Sequence, residues 1–198
     1  LEQHLPGVRA RFELRLLPCH IRDWSRYALH VPWFQDPIQR WSPVAYRWAR
    51  RLGVHSDLHG IPIVNRVENL ANAGKSEAAR RIAAVGIRTP RMVRIADERW
   101  FRETLGGLEP PLLIREDWGH GDRVCRGDSV GEVRRIPLRQ FCRPIAVEWI
   151  ETRSADDGLY RKFRYVAAGD VGVPHHLQIT DAGIARGSGR RYDRQTRE

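Results

Sequence analysis

The sequence predicts an α+β fold, on three observations. From Gly60 onward, short apolar runs alternate with capped helical stretches. Near the C-terminus two long strand-like runs flank Gly169-Asp170, a pair suited to a hairpin turn. The composition, with 41% hydrophobic and 29% charged residues over 198 positions, is that of a packed domain rather than a disordered chain.

The first 59 residues form a partial N-terminal region. Trp24, Trp33, Trp41 and Trp48 lie among arginines, and Pro32, Pro37 and Pro43 cut the stretch into short pieces. Ser42 caps a helix with Pro43 in its first turn, running to Leu52 with Gly53 beyond its end. Aromatics mixed with arginine can stack on bases, so a nucleic-acid-binding module is the alternative reading of this segment.

Region 60–182 carries the alternation. Ile61 to Asn65 reads as a buried strand. Ser76 to Val85 is an alanine-rich helix closed by Gly86, and Met92 to Ile95 is a strand. Asp97 caps a helix to about Leu105, and Gly106-Gly107 stops it. Leu112 to Glu116 is a strand leading into the turn Asp117-Trp-Gly-His-Gly-Asp122, and Arg123 to Arg126 is the strand that leaves it. Ser129 and Glu132 have capping-box spacing, and Ile145 to Ile150 is a strand. Leu159 to Ala168 and Val171 to Ile179 form the hairpin. Alternation puts Lys162 and Arg164 on one face of its first strand, and His175 and His176 on opposite faces of its second. Residues 183–198 are expected to form a mobile tail.

Composition narrows the function. No apolar run has the roughly 18–20 residues of a membrane span, so no membrane partner is expected. Three cysteines without a Cys-x-x-Cys pair argue against a disulfide framework and a zinc ribbon, and for a reducing, cytoplasmic setting. The net charge of +10 is spread along the chain with acids interleaved, which weighs against a nucleic-acid partner. Of 34 basic residues other than histidine, only Lys75 and Lys162 are lysine. A compact ammonium suits a phosphate site, and Lys75 opens a helix whose N-terminus favours an anion. Ala73-Gly-Lys-Ser76 is not a complete phosphate-binding P-loop, because Asn69 stands where that motif needs glycine. Gly119-His120-Gly121 permits close approach of backbone to a ligand.

Taken in order, these motifs resemble the ATP-grasp superfamily, in the branch of glutathione synthetase, D-alanine–D-alanine ligase and the peptide glutamate ligases. The resemblance covers Gly60 to about Thr180. It begins with Gly60-Ile-Pro-Ile-Val-Asn65, then Ala73-Gly-Lys75 opening a helix that ends in Val85-Gly-Ile-Arg-Thr-Pro90. Pro111-Leu-Leu-Ile-Arg115 is similar to the strand that ends in a second phosphate-binding cation, a lysine in the family. Gly119-His120-Gly121 resembles the glycine-rich loop over the phosphates. Val147-Glu-Trp-Ile-Glu151 is similar to the adenine-binding linker, and Asp157 to Asp170 to the central hairpin strand.

The resemblance implies two α+β subdomains with a nucleotide cleft between their sheets, in a form incomplete at its C-terminus. Lys75 and Arg115 would contact ATP phosphates beneath Gly119, His120 and Gly121. The Glu148 carbonyl and Ile150 N–H would meet the adenine edge, with Trp149 or Ile150 packing nearby. Lys162, where the family often has an acid, lies with Arg164 on the phosphate side, and Arg164 would stabilise charge at the transferred group. The implied activity is ATP-dependent carboxylate–amine (or carboxylate–thiol) ligation through an acyl phosphate. Its partners would be ATP and a carboxylate substrate, with Mg2+ as the metal. The family's Glu-x-Asn magnesium motif is absent, so no metal ligand is expected among these residues. The chain begins at Leu1 and is expected to be a fragment of a longer ligase, inactive alone.

Overall fold

A computed structural model describes residues 6–121, 123–181 and 183–184. Expectations for the tail beyond these, and for Asp122, lie outside the described residues. The chain divides into two compact units, Leu1–Glu148 and Trp149–Glu198, a boundary inside the 60–182 region.

The first unit is built on an antiparallel sheet of four strands, β1 (Met92–Arg94), β2 (Leu112–Glu116), β3 (Val124–Gly127) and β4 (Pro144–Glu148), in the order β1-β4-β2-β3. Alternation sends Leu112 and Ile114 to one face, where both are fully buried. There they join Ala146, Phe101, Leu105, Val133, Ile136, Leu138 and Phe141 in the main core. Burial of each such large side chain stabilises by about 1.5–3 kcal/mol, which is why this half of the sheet needs no polar device to hold it.

Helices frame the sheet, and their ends follow from the local sequence. A single turn, α1 (Pro6–Arg9), comes first; α2 (Ile38–Trp41) then leads into α3 (Pro43–Leu58). Ser42 Oγ accepts from Ala45 N at the head of α3, as its sequence predicts. That helix does not stop before Gly53. It runs on to Leu58, with Gly53 buried inside it and an added Cβ there 3.3 Å from the Arg66 guanidinium. Ser56 is bonded inside the extension, donating to Leu52 O at 2.8 Å. Next are α4 (Lys75–Ala84), α5 (Glu98–Thr104) and α6 (Val130–Arg135). Asp97 accepts from Trp100 N at 3.0 Å to start α5, and Ser129 accepts from Glu132 N at 3.3 Å to start α6. The Glu132 carboxylate reaches back one residue further than a standard capping box, to Asp128 N at 2.8 Å.

Ile61 to Asn65 is not a strand. Pro62 brings no donor, and the segment's one strand-type pairing is an isolated parallel bridge, in which Pro62 O accepts from His30 N and Val64 N donates to His30 O, each at 2.9 Å. Asn65 then takes φ 60°, which ends the extended run.

The second unit is built on the predicted hairpin, β5 (Tyr160–Ala168) and β6 (Val171–Thr180), turned at Gly169 with φ 64°. The register shifts between Arg164, opposite His176, and Tyr165, opposite Pro174, so His175 is an extra residue on β6. This bulge breaks the alternation. His175 and His176 therefore do not face apart: their Nδ1 atoms are in hydrogen-bond contact, with ring centroids 4.7 Å apart.

Candidate functional site

The entrance to α4 lacks a side chain able to cap it, since Gly74 occupies the N-cap position. A distant residue supplies what is missing. Asp117, one residue past β2 and only 2% exposed, accepts from Ser76 N at 2.8 Å and from Ser76 Oγ at 2.6 Å. Arg94 of β1 donates to the same carboxylate from Nε at 3.2 Å, and an Arg143 nitrogen lies 3.6 Å from it. The anion favoured by the helix N-terminus is thus present within the chain, as a carboxylate.

Lys75 reaches the turn that follows Asp117. Its Nζ donates to Trp118 O and to Gly119 O, the latter at 3.2 Å. Trp118 is stacked beneath the Arg143 guanidinium, 4.5 Å from the ring centre. On the far side the turn is held by Asp36, 3% exposed, whose Oδ2 accepts from Gly119 N at 2.6 Å. The backbone oxygen of Asp36 accepts from His120 N at 3.0 Å. Gly119 has no room for a side chain: an added Cβ would lie 3.1 Å from Asp36 Cβ and 3.2 Å from Ala73 Cβ. Gly121 is packed likewise, 3.2 Å from Glu116 Cβ. His120 itself is exposed.

Arg115 stands on β2 opposite Val124 and Ile145. Arg94 also pairs with Ile145, so Arg94, Ile145 and Arg115 form one row across the sheet, on the face away from Leu112 and Ile114. Lys75 and Arg115 are therefore brought to the same end of β2. Glu148 closes β4; its backbone N–H donates to Arg91 O at 2.9 Å and its carboxylate accepts from Arg91 N at 3.1 Å.

The other predicted residues belong to the second unit. Trp149 packs edge-on to Tyr160, with centroids 6.2 Å apart, and Ile150 is exposed. Tyr160 OH donates to the Glu151 carboxylate at 3.2 Å and accepts from Arg153 at 3.0 Å. The Glu151 carboxyl is held below the ordinary carboxylate range, chiefly by the backbone N–H of Arg153. Lys162 and Arg164 are exposed on β5, opposite Gln178 and His176, and share one face as predicted.

Sequence reasoning missed Asp36, Arg94 and Arg143. Asp36 bonds a residue 83 positions away, and no local pattern marks it. Asp117 was legible only as a turn residue; its place directly after a strand, together with an upstream lysine-led helix that lacks a capping side chain, was the available signal.

No family model and no curated protein matches the chain. Solved structures do. An N5-carboxyaminoimidazole synthase from Aspergillus clavatus has a TM-score of 0.49 at 12% identity, over 70% of this chain and 35% of that one. An L-amino acid ligase from Bacillus licheniformis has a TM-score of 0.50 at 13% identity, over 81% of this chain and 44% of that one. The ATP-grasp ligase PsnB has 0.41 at 13% identity, over 80% and 58%. The chain thus spans between about a third and three-fifths of the length of these proteins. The likeness to the amino acid ligase shows the fold: this is an α+β chain with the ATP-grasp architecture in part.

Proposed function

We propose that the chain is the ATP-binding portion of an ATP-dependent ligase that joins a carboxylate to an amine or thiol. The observation that carries this reading is the donor set at the head of α4. Lys75 Nζ, Ser76 N–H and Gly119 N–H converge on one turn, and each is satisfied by an oxygen of the chain itself. Donors so arranged suit phosphate oxygens in charge and in number. The ATP-grasp fold and its ligase neighbour support the same assignment.

In this reading Lys75 and Arg115 hold the phosphates, and Gly119, His120 and Gly121 cover them. Glu148, Trp149 and Ile150 contact the base. ATP supplies a phosphoryl group: a carboxylate oxygen bonds to the γ-phosphorus as the bond to ADP breaks. The nucleophile then bonds to the acyl carbon, phosphate leaves, and the nucleophile gives up a proton. Arg164, with Lys162 beside it on β5, is the proposed electrostatic partner of the charge that develops at the transferred group.

Magnesium does not fit the described residues. Among them no group of three or more His, Cys, Asp or Glu could hold a metal, and the sequence has no Glu-x-Asn. No step is therefore assigned to it, and the proposal is nucleotide binding without turnover by this chain alone. No helix among the described residues is long and apolar enough to cross a membrane.

Calorimetric titration with ATP tests the assignment. Lys75→Ala and Arg115→Ala are each expected to weaken ATP about tenfold, the loss of one charge-assisted bond, with the circular dichroism spectrum unchanged. Equal affinity for ATP in both folded variants and the parent chain would overturn it.

A further inference from the structure

The same donors that recommend the site are already engaged. Asp117 takes Ser76 N–H, Asp36 takes Gly119 N–H, and Lys75 is drawn onto the carbonyls of Trp118 and Gly119. The turn lies directly on the chain that precedes α4. Ala73 O and Ala73 Cβ would both be 3.2 Å from a Cβ on Gly119, and a Cβ on Gly74 would lie 3.5 Å from Asp117 O. No phosphate group fits between surfaces this close. Both carboxylates are nearly wholly buried, so their bonds to the turn and helix face little competition from water.

We propose that this turn is self-occupied: the buried carboxylate of Asp36 and the carbonyls of Trp118 and Gly119 stand in for a nucleotide's phosphate oxygens. Binding then requires the nucleotide to displace them. Asp36 is the replaceable partner. It comes from outside the sheet and α4, and its carboxylate bonds only the Gly119 N–H among the described contacts. Asp117 holds helix, sheet and turn together, so its removal would damage the scaffold as well. The inference rests on the reading of Lys75 as a phosphate-binding residue, and it makes Asp36 a competitor of the ligand rather than a support for it.

The sequence offers a clean probe, because Lys75 and Lys162 are its only lysines. Labelling with an amine-reactive ester, read by mass spectrometry, reports Lys75 against the exposed Lys162 within one molecule. In the parent chain Lys75 is expected to label at least tenfold more slowly. Asp36→Asn keeps the size and a carbonyl acceptor but loses the charge; it should raise the Lys75 rate about fivefold and leave Lys162 unchanged. Asp36→Ala should raise it further. Tripolyphosphate and ATP should each bind Asp36→Asn at least threefold more tightly than the parent.

Equal labelling of the two lysines in the parent, or an unchanged Lys75 rate in folded Asp36→Asn, would overturn self-occupation. Weaker or equal binding of tripolyphosphate by Asp36→Asn would overturn the competition and make Asp36 a structural support. Labelling as expected, with no binding of ATP or tripolyphosphate by any form, would overturn the phosphate reading and the competition with it, while the internal lock stood.

Discussion

Asp117 and Ser76 are joined twice, through the backbone N–H and the hydroxyl of the serine, at 2.8 and 2.6 Å. One carboxylate, 41 residues away in sequence, thus does for α4 what an N-cap side chain does for an ordinary helix. Removing it leaves a helix donor, a hydroxyl and the Arg94 guanidinium without their shared acceptor. Asp117→Ala is expected to cost about 2–3 kcal/mol and Ser76→Ala about 1 kcal/mol, read as shifts of the urea midpoint. A loss below about 0.5 kcal/mol in Asp117→Ala would show that water replaces the carboxylate at no cost.

Glycines at two positions four residues apart should respond in opposite directions. Gly127 ends β3 where α6 crosses it. A Cβ there would lie 2.6 Å from Val133 Cγ2 and 2.9 Å from Val133 N, and Val133 is fully buried. The backbone contact leaves nothing flexible to yield, so Gly127→Ala should destabilise by about 1–3 kcal/mol or more. Gly131 lies inside α6 with nothing within 4 Å of a Cβ. Gly131→Ala should stabilise by about 0.5–1 kcal/mol. Thermal melts of the two variants, displaced to opposite sides of the parent, check both.

The hairpin unit has its own charge lock. Asp157 pairs with Arg161 through both oxygens and accepts from Leu159 N at 3.0 Å. The guanidinium first, then the backbone N–H, pulls its carboxyl down to about 2. Carboxyl-detected NMR should find Asp157 ionised down to that pH in the parent. Arg161→Met should return its midpoint towards the ordinary range near 3.9. An unmoved midpoint would mean the backbone donor alone sets it.

What the sequence disclosed and what it hid divide along one line. β2, α4, α5 and the hairpin were legible because their signals are local: alternation, Asp97 as a cap, glycines at turns. Gly53 misled because a glycine ends a helix only where it leaves helical φ/ψ, and here it keeps a negative φ inside Pro43–Leu58. The His175 bulge was invisible because one inserted residue leaves the apolar pattern nearly intact while turning a side chain to the other face. At the site, Lys75 and the glycine turn could be read from residue type. The Asp36 contact could not, since it depends on how two segments 83 residues apart meet.

His30 couples the stability of the fold to pH. Ser56 has one hydroxyl hydrogen, and it goes to Leu52 O at 2.8 Å. Its oxygen must then accept from His30 Nδ1, also at 2.8 Å, which fixes the neutral ring with its hydrogen on Nδ1. Nε2 is left buried without a hydrogen-bond partner. Protonation would place a hydrogen and a charge there with no acceptor, so burial holds the folded-state pKa below its ordinary value of about 6.5. The unfolded chain takes up this proton near pH 6.5, and the folded chain only at lower pH. The contribution of His30 is therefore complete above that pH and is lost as the pH falls below it, with a slope of at most about 1.4 kcal/mol per pH unit. His30→Asn can still donate to Ser56 but does not titrate. Between pH 7.5 and 5.5 its urea midpoint should fall less than that of the parent chain; parallel declines would place the acid sensitivity on another group.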